Sequence, residues 1–425
     1  MRLAIVASHP IQYYVPLYRR LASRSDIEIK VFFTWHGGTT EVFDQGFKQP
    51  IAWDIPLTDG YESEVVPNTA RRPGTHHFLG LQNPELIGRV KSWKPDAVHL
   101  TGYSFVSHLS LMRATAISKI PLLFRGDSHL LDETPNWKNS VKRIVLKRVF
   151  RWPSAFLYVG EHNKEYYRSF GVPEKKLSYC PHSIEVNRFA EPSSELEQKA
   201  RQWRKELKIP EDTIVGLFAG KFETKKRPID LMKWALESSD KEWILVMAGN
   251  GEHEVEVRRI ANANPHRFRI LPFQNQTKMP VLYRLGDFLI LPSAYGETWG
   301  LAINEVQACG RPALVSDRVG CAPEMILVGV TGEIFSSDWG VRPPRVISGA
   351  PWRHDPKKIS APLSLRKDSH TFFSALNNIT SQIRCGGYNR DIILHHARQF
   401  DVSETEARLM ACLTALKNYS GPLNS

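Results

Sequence analysis

The feature that most restricts this chain is a repeated alternation of short apolar runs, loops and stretches of helical spacing. Leu3–Ala7, Ile27–Phe33, Ala97–Leu100, Pro121–Arg125 and Phe156–Val159 are the apolar runs of the first half. Ile214–Ala219, Trp243–Ala248, Phe268–Leu271, Phe288–Leu291 and Ala313–Ser316 restart the pattern in the second. Leu3–Ala7 is apolar throughout, with none of the alternation of a strand buried on one face only. Such a run suits a parallel sheet covered on both sides. Strand, helix and strand in succession make βαβ units, so the fold class is α/β.

The chain has 425 residues, too many for one typical core, so two domains of roughly 200 residues each are expected. We place them at 1–190 and 211–400, joined by a Glu-, Lys- and Arg-rich helical linker at 191–210. Residues 337–369 are rich in Pro, Gly, Ser and basic residues without periodicity, and are expected to form an exposed or disordered insertion. A C-terminal helix over 401–425 is expected to pack back on the first domain. Thr34–Gly80 is polar and Pro/Gly-punctuated, and reads as a long surface excursion near the strand ends. Pro181–Phe189 reads as a loop. Two α/β halves place the ligand in the cleft between them. The first loop, Ser8–Tyr14, lacks the G-x-G-x-x-G of dinucleotide binders, which argues against a nicotinamide or flavin oxidoreductase.

The net charge is +12, which favours anionic partners without choosing among phosphates, nucleic acid and an anionic membrane surface. No apolar run approaches the roughly 20 residues that cross a bilayer. The apolar N-terminal stretch is too short for a signal peptide and reads as a buried strand. Five scattered cysteines without metal-ligand spacing fit a reducing compartment. A cytoplasmic location follows, with the cytoplasmic face of a membrane as its variant. Asn139–Trp152 combines five basic residues with an apolar stripe. It suits an anionic membrane surface or a packed surface helix with a solvated basic face.

Three features of the second half converge. Lys221 and Lys226 share a loop between a strand and a helix, where phosphate oxygens are commonly held. Gly249-Asn250-Gly251 ends another strand. Tyr295–Cys309 turns through Gly296 and Gly300 into a helical pattern and carries Glu297 and Glu305, eight positions apart. Free N–H groups of a helix starting near Gly300 make an anion site. Glu305 lies in an apolar helix, where a carboxylate needs a partner. Taken singly, the lysine loop reads as a charged surface loop and Gly249-Asn250-Gly251 as a simple turn.

The segment P-S-A-Y-G-E-T-W-G-L-A-I-N-E, with its E-x7-E pattern from Glu297 to Glu305, resembles the signature of retaining glycosyltransferases of family 4. The loop Gly220-Lys221 to Lys226 resembles that family's G-R-L-x-x-x-K-G loop, with Lys221 where arginine is usual and Arg227 where glycine is usual. Pro181–Phe189 is similar to its P-N-G-V-D-x-x-x-F segment, with His182 in place of asparagine. The resemblance covers the second half well and the first in outline. It implies the GT-B fold, two Rossmann-like domains facing across a cleft, with the acceptor side in the first domain and a nucleotide-diphosphate sugar held mainly by the second.

By that resemblance, Lys221 and Lys226 pair with the diphosphate, the N–H groups of Gly300 and Leu301 add to them, and Glu305 binds the ribose. Gly220, Thr298 and Phe273 complete the expected donor-binding set. Glu297, holding sugar hydroxyls near the reacting carbon, and His129 of Gly126-Asp127-Ser128-His129 are the expected catalytic residues. His9 and Asp127 are acceptor-side candidates. No D-x-D stands in a plausible metal-binding loop, so neither metal nor cofactor is expected. The implied reaction is retaining transfer of a sugar to a glycan or lipid-linked acceptor in cell-surface polysaccharide or glycoconjugate synthesis. A sugar phosphorylase or epimerase on the same fold is the alternative within enzymes. A basic nucleic-acid- or membrane-binding protein is the alternative outside them, and the lack of a basic stripe with interleaved aromatics argues against nucleic acid.

Overall fold

The computed structural model describes all residues except 38–41, 45–48, 134–136, 338–370 and 420–425. The chain divides into two compact units. The first comprises 1–191, 274–280 and 395–425, and the second 192–273 and 281–394.

In the first unit the strands are β1 (Arg2–Ala7), β2 (Glu28–Phe33), β3 (Val42–Asp44), β4 (Gln49–Ile51), β5 (Ser63–Val65), β6 (Ala97–Thr101), β7 (Leu122–Arg125), β8 (Ala155–Tyr158) and β9 (Leu177–Tyr179). Seven of them form one sheet in the order β5-β2-β1-β6-β7-β8-β9. Its pairings are parallel, with Leu3 of β1 between Ile29 and Ala97. β3 and β4 pair antiparallel by themselves. Both faces of the sheet are covered. Leu111, Phe124, Phe156 and Tyr167 belong to the core on one side, and Leu3, Ile5, Leu17 and Val31 to the core on the other. The C-terminal helix Val402–Tyr419 contributes Leu409 and Leu413 to that second core, both fully buried.

The second unit is built on β10 (Ile214–Ala219), β11 (Trp243–Ala248), β12 (Phe268–Leu271), β13 (Phe288–Leu291), β14 (Ala313–Ser316) and β15 (Gly332–Phe335). Their order is β12-β11-β10-β13-β14-β15, parallel throughout. The near-continuous apolar runs are explained by burial on both faces, as in Leu245, Val246 and Met247, which are all fully buried.

Three expectations need correction. Thr34–Gly80 is not wholly a surface excursion: Ser63–Val65 extends the sheet beside β2, and Val66 is fully buried. Its strand is too short for a periodic signal. The segment 191–210 is not a free linker: its helix Ser193–Glu206 is built into the second unit, where Arg204 pairs with Asp287 at 2.8 Å and donates to the Leu285 carbonyl. Pro181–Phe189 is not all loop, because Val186–Ala190 is helical, with the Asp401 carboxylate accepting from the Val186 N–H. Of the insertion expected over 337–369, residues 338–369 lie outside the described residues. Ser337 is buried, and its N–H donates to Asp317.

Candidate functional site

In the second unit the strand order reverses direction between β10 and β13. At such a switch point, loops from two neighbouring strands diverge and leave a crevice outside the strand C-termini. The loop after β10 is Gly220–Arg227, and the loop after β13 runs from Pro292 to Gly300. The lysine loop and the first acid of the two-glutamate segment therefore emerge side by side.

They meet directly. Lys226 Nζ lies 2.8 Å from Glu297 Oε2, with side-chain exposures of 17% and 16%. The Ser293 hydroxyl donates to the same carboxylate oxygen at 3.0 Å. Burial pushes the Glu297 carboxyl up, but the Lys226 ammonium and the Ser293 hydroxyl outweigh it and hold the group below its ordinary value. The Ala294 N–H donates to the Lys225 carbonyl at 2.8 Å, tying the two loops together by backbone.

The third converging feature joins the same place. The Phe222 N–H donates to the Asn250 carbonyl at 2.9 Å, so the Gly249-Asn250-Gly251 turn braces the lysine loop. Fully buried Phe222 anchors the loop from beneath, next to half-buried Lys221.

Gly300 caps the helix Leu301–Ala308 in a left-handed conformation at φ 108°. A Cβ there would also stand 3.0 Å from Val319 and 3.1 Å from Leu291, so glycine is needed for both conformation and space. Behind the acid loop runs the turn after β14. The Gly320 N–H donates to the Glu297 carbonyl at 2.9 Å, and a Cβ on Gly320 would overlap the Thr298 carbonyl oxygen. Leu301 opens the helix, whose first N–H groups have no intrahelical partner.

Glu305 differs from Glu297. It is only 2% exposed, within the helix, and the Tyr283 hydroxyl donates to its Oε2 at 2.6 Å. Tyr283 comes from the preceding helix Met279–Leu285 and is itself buried. Trp299 Nε1 donates to Asn304 Oδ1 at 2.9 Å, packing the residue before Gly300 onto the same helix.

Of the expected donor-side residues, Gly220, Lys221, Lys226, Glu297, Thr298, Gly300 and Leu301 are gathered at this switch point. Phe273 follows β12, the outer strand, two strands from the switch point in the sheet order. Sequence reasoning missed Ser293, Tyr283 and Gly320. Ser293 carried a signal, four positions before Glu297 on the same loop; Tyr283 and Gly320 carried none.

In the first unit the reversal falls between β1 and β6. His9 follows β1, with Nδ1 2.9 Å from the Ser8 hydroxyl and its ring edge-on to Trp35. Burial pulls it down to about 4, so it is neutral at pH 7. Asp127 and His129 follow β7, one strand beyond the switch. The His129 side chain is 4% exposed, with Nε2 3.9 Å from Asp132. The Leu131 N–H donates to its Nδ1 at 3.2 Å. His162, on the helix Glu161–Ser169, is pulled down to about 4 by burial and then by His129. Among the described residues, no three His, Cys, Asp or Glu side chains lie close enough to hold a metal ion, and no helix is long and apolar enough to cross a membrane.

Comparison with known proteins bears on the family and the fold. Residues 17–188 match the description "Glycosyltransferase Family 4", and residues 199–339 match "Glycosyl transferases group 1". The chain is 29% identical over 178 residues to the D-inositol 3-phosphate glycosyltransferase of Xylanimonas cellulosilytica, covering 40% of this chain and 42% of that protein. It is 31% identical over 147 residues to the protein of the same description from Corynebacterium diphtheriae, covering 32% and 34%. The match thus spans less than half the length of these curated relatives. Among solved structures, it is similar to HepE of Anabaena in complex with UDP and glucose, at TM-score 0.66 and 15% identity, over 98% of this chain and 100% of that one. It is also similar to a glycosyltransferase from Rickettsia africae, at TM-score 0.69 and 13% identity, over 98% and 99%. Both likenesses establish the two-domain GT-B fold.

Proposed function

From the premise that this chain belongs to the family 4 glycosyltransferases, with the GT-B fold, we propose that it transfers a sugar, with retention, from a nucleotide-diphosphate sugar to a glycan or lipid-linked acceptor. The reaction serves cell-surface polysaccharide or glycoconjugate synthesis, in the cytoplasm or on the cytoplasmic face of a membrane. The observation that carries the reading is the contact of Lys226 with Glu297 at the switch point, beside Gly300 and the first turn of its helix.

Departure of a nucleoside diphosphate builds negative charge on phosphate oxygen. Lys226, Lys221 and the N–H groups at Gly300 and Leu301 are preorganised positive groups at one crevice, and such groups lower the barrier in proportion to the charge that develops. They take the charge-neutralising role a divalent cation would otherwise have, so transfer is proposed to be metal-independent. Glu297, kept ionised by Lys226 and Ser293, is an acceptor for sugar hydroxyls adjoining the phosphate. Glu305, oriented by Tyr283, takes the ribose. His129, and more weakly His9 and Asp127, are assigned to the sugar and acceptor side. Retention by attack on the face that the phosphate leaves needs no second carboxylate.

The test is a thermal-shift panel of nucleotide sugars on the purified chain, followed by transfer assays with the donor that binds. A bound donor raises the melting temperature by mass action. Lys226→Ala and Glu305→Ala are expected to abolish the shift and lower transfer by at least about 100-fold. Full transfer by both variants would sink the assignment. Release of sugar 1-phosphate with inorganic phosphate as acceptor would replace it by a phosphorylase.

A further inference from the structure

The helix Trp137–Val149 of the first unit carries two apolar faces, and a packed surface helix needs only one. The inner face is Leu146 and Val149, continued by Phe150, all buried in the core beside Phe124 and Phe156. The outer face is Trp137, Val141 and Ile144, which recur at i, i+4 and i+7 and so form one stripe. They are 72%, 52% and 60% exposed, and Val145 beside them is 49% exposed. At about 100° per residue, Leu146 lies on the side of the helix opposite that stripe.

The charge around the stripe has one sign. The helix contains no acidic residue, and Lys142, Lys147, Arg148 and the following Arg151 are exposed. Arg143 is spent internally, paired with Glu133 at 3.2 Å and lying over the Phe170 ring. Among the described residues, no ion pair joins the other four to an acid.

We infer that this outer face docks on an anionic lipid bilayer. Apolar residues aligned with solvent, flanked by cations and with a tryptophan at one end, match a helix lying in the headgroup plane. Aliphatic Val141, Ile144 and Val145 insert shallowly, and the cations meet lipid phosphates. A nucleic acid satisfies the charge but leaves that aliphatic stripe without a stacking partner. The inference deepens the membrane-face part of the proposed function and rests on that part alone; docking is measured without catalysis, so its failure is distinguishable from failure of the transfer reading.

Co-sedimentation of the full chain with phosphatidylcholine vesicles, with and without phosphatidylglycerol, tests it. Binding is expected only with the anionic lipid and is expected to weaken with salt. Ile144→Glu should lower the partition coefficient at least tenfold. Lys147→Gln and Arg148→Gln should each lower it about fivefold. Arg259→Glu, on an exposed helix of the second unit, should leave it unchanged. The helix variants should keep the wild-type melting temperature, since these side chains face solvent. Equal binding to neutral vesicles, no vesicle binding, or wild-type binding by Ile144→Glu would each overturn the proposal. Retention on RNA with no vesicle binding would assign the surface to nucleic acid and overturn it as well.

Discussion

Lys226 and Glu297 meet at 2.8 Å although they are 71 positions apart, because their loops leave strands that adjoin in space where the sheet order reverses. The pair is largely shielded from water, so its attraction is less screened than that of a surface pair. An incoming phosphate and the Glu297 carboxylate both present oxygen to the same ammonium. Glu297→Gln keeps the shape and removes the charge. We expect this variant to stay folded and its transfer to fall by about 100-fold or more. Initial rates at saturating donor, compared with melting curves, check this; near wild-type kcat would remove Glu297 from the chemistry.

Tyr283→Phe deletes one oxygen, the donor to buried Glu305. Leaving a buried acceptor without its donor costs about 1–3 kcal/mol. The expected result is a loss of stability in that range together with a raised KM for the donor and little change in kcat. That split separates positioning from packing, since a packing defect alone leaves KM in place. Glu305→Gln, in the same background, should add little to the KM effect if the two act as one unit.

Gly320→Ala changes no polar group, yet its Cβ would overlap the Thr298 carbonyl and push the loop that carries Glu297. We expect a destabilisation of about 1–3 kcal/mol and weaker donor binding by thermal shift. Gly88→Ala is the contrast, because nothing lies near its Cβ position and it sits in the helix Leu86–Ser92. That change should stabilise by about 0.5–1 kcal/mol. If Gly320→Ala binds donor like the wild type, the turn after β14 does not hold the acid loop.

The alternation of apolar runs and helical stretches made the longer strands of both parallel sheets legible, because burial on two faces writes itself into them. Lys226, Glu297 and Gly300 were legible for a similar reason: charge, acid and glycine crowd the ends of such strands. What the sequence hid is what depends on neighbours far along the chain. Tyr283 gives no local sign that its hydroxyl serves Glu305. Ser63–Val65 is too short for periodicity, and only the exposed edge of β2 selects it. Phe273, expected in the donor-binding set by resemblance, follows the outer strand β12, a position that only the strand order reveals. The stripe of Asn139–Trp152 was visible as apolar, whereas its division into inner and outer faces on the helix Trp137–Val149 required the packing of Leu146.

Acid should unfold the first unit earlier than its carboxylates alone require. His99, His108 and His162 are pulled by burial to about 3, about 4 and about 4. Each is neutral when folded, while the unfolded chain takes up a proton near the ordinary value of about 6.5. The unfolded state therefore binds more protons between the two values, and stability falls as pH drops from about 7 towards 4. Each such histidine contributes up to about 1.4 kcal/mol per pH unit in that window. Glu297 acts lower: its folded value is depressed, so its contribution is lost only as pH falls below the ordinary carboxylate range. His99 separates the two effects, because neither ring nitrogen has a hydrogen-bond partner and the side chain is 3% exposed in β6. His99→Leu removes one proton-uptake site at little packing cost. Urea unfolding at a series of pH values should show the wild type losing stability steeply from pH 7 to 5, and the variant less steeply. Parallel curves for the two proteins would mean that His99 is not held neutral in the fold.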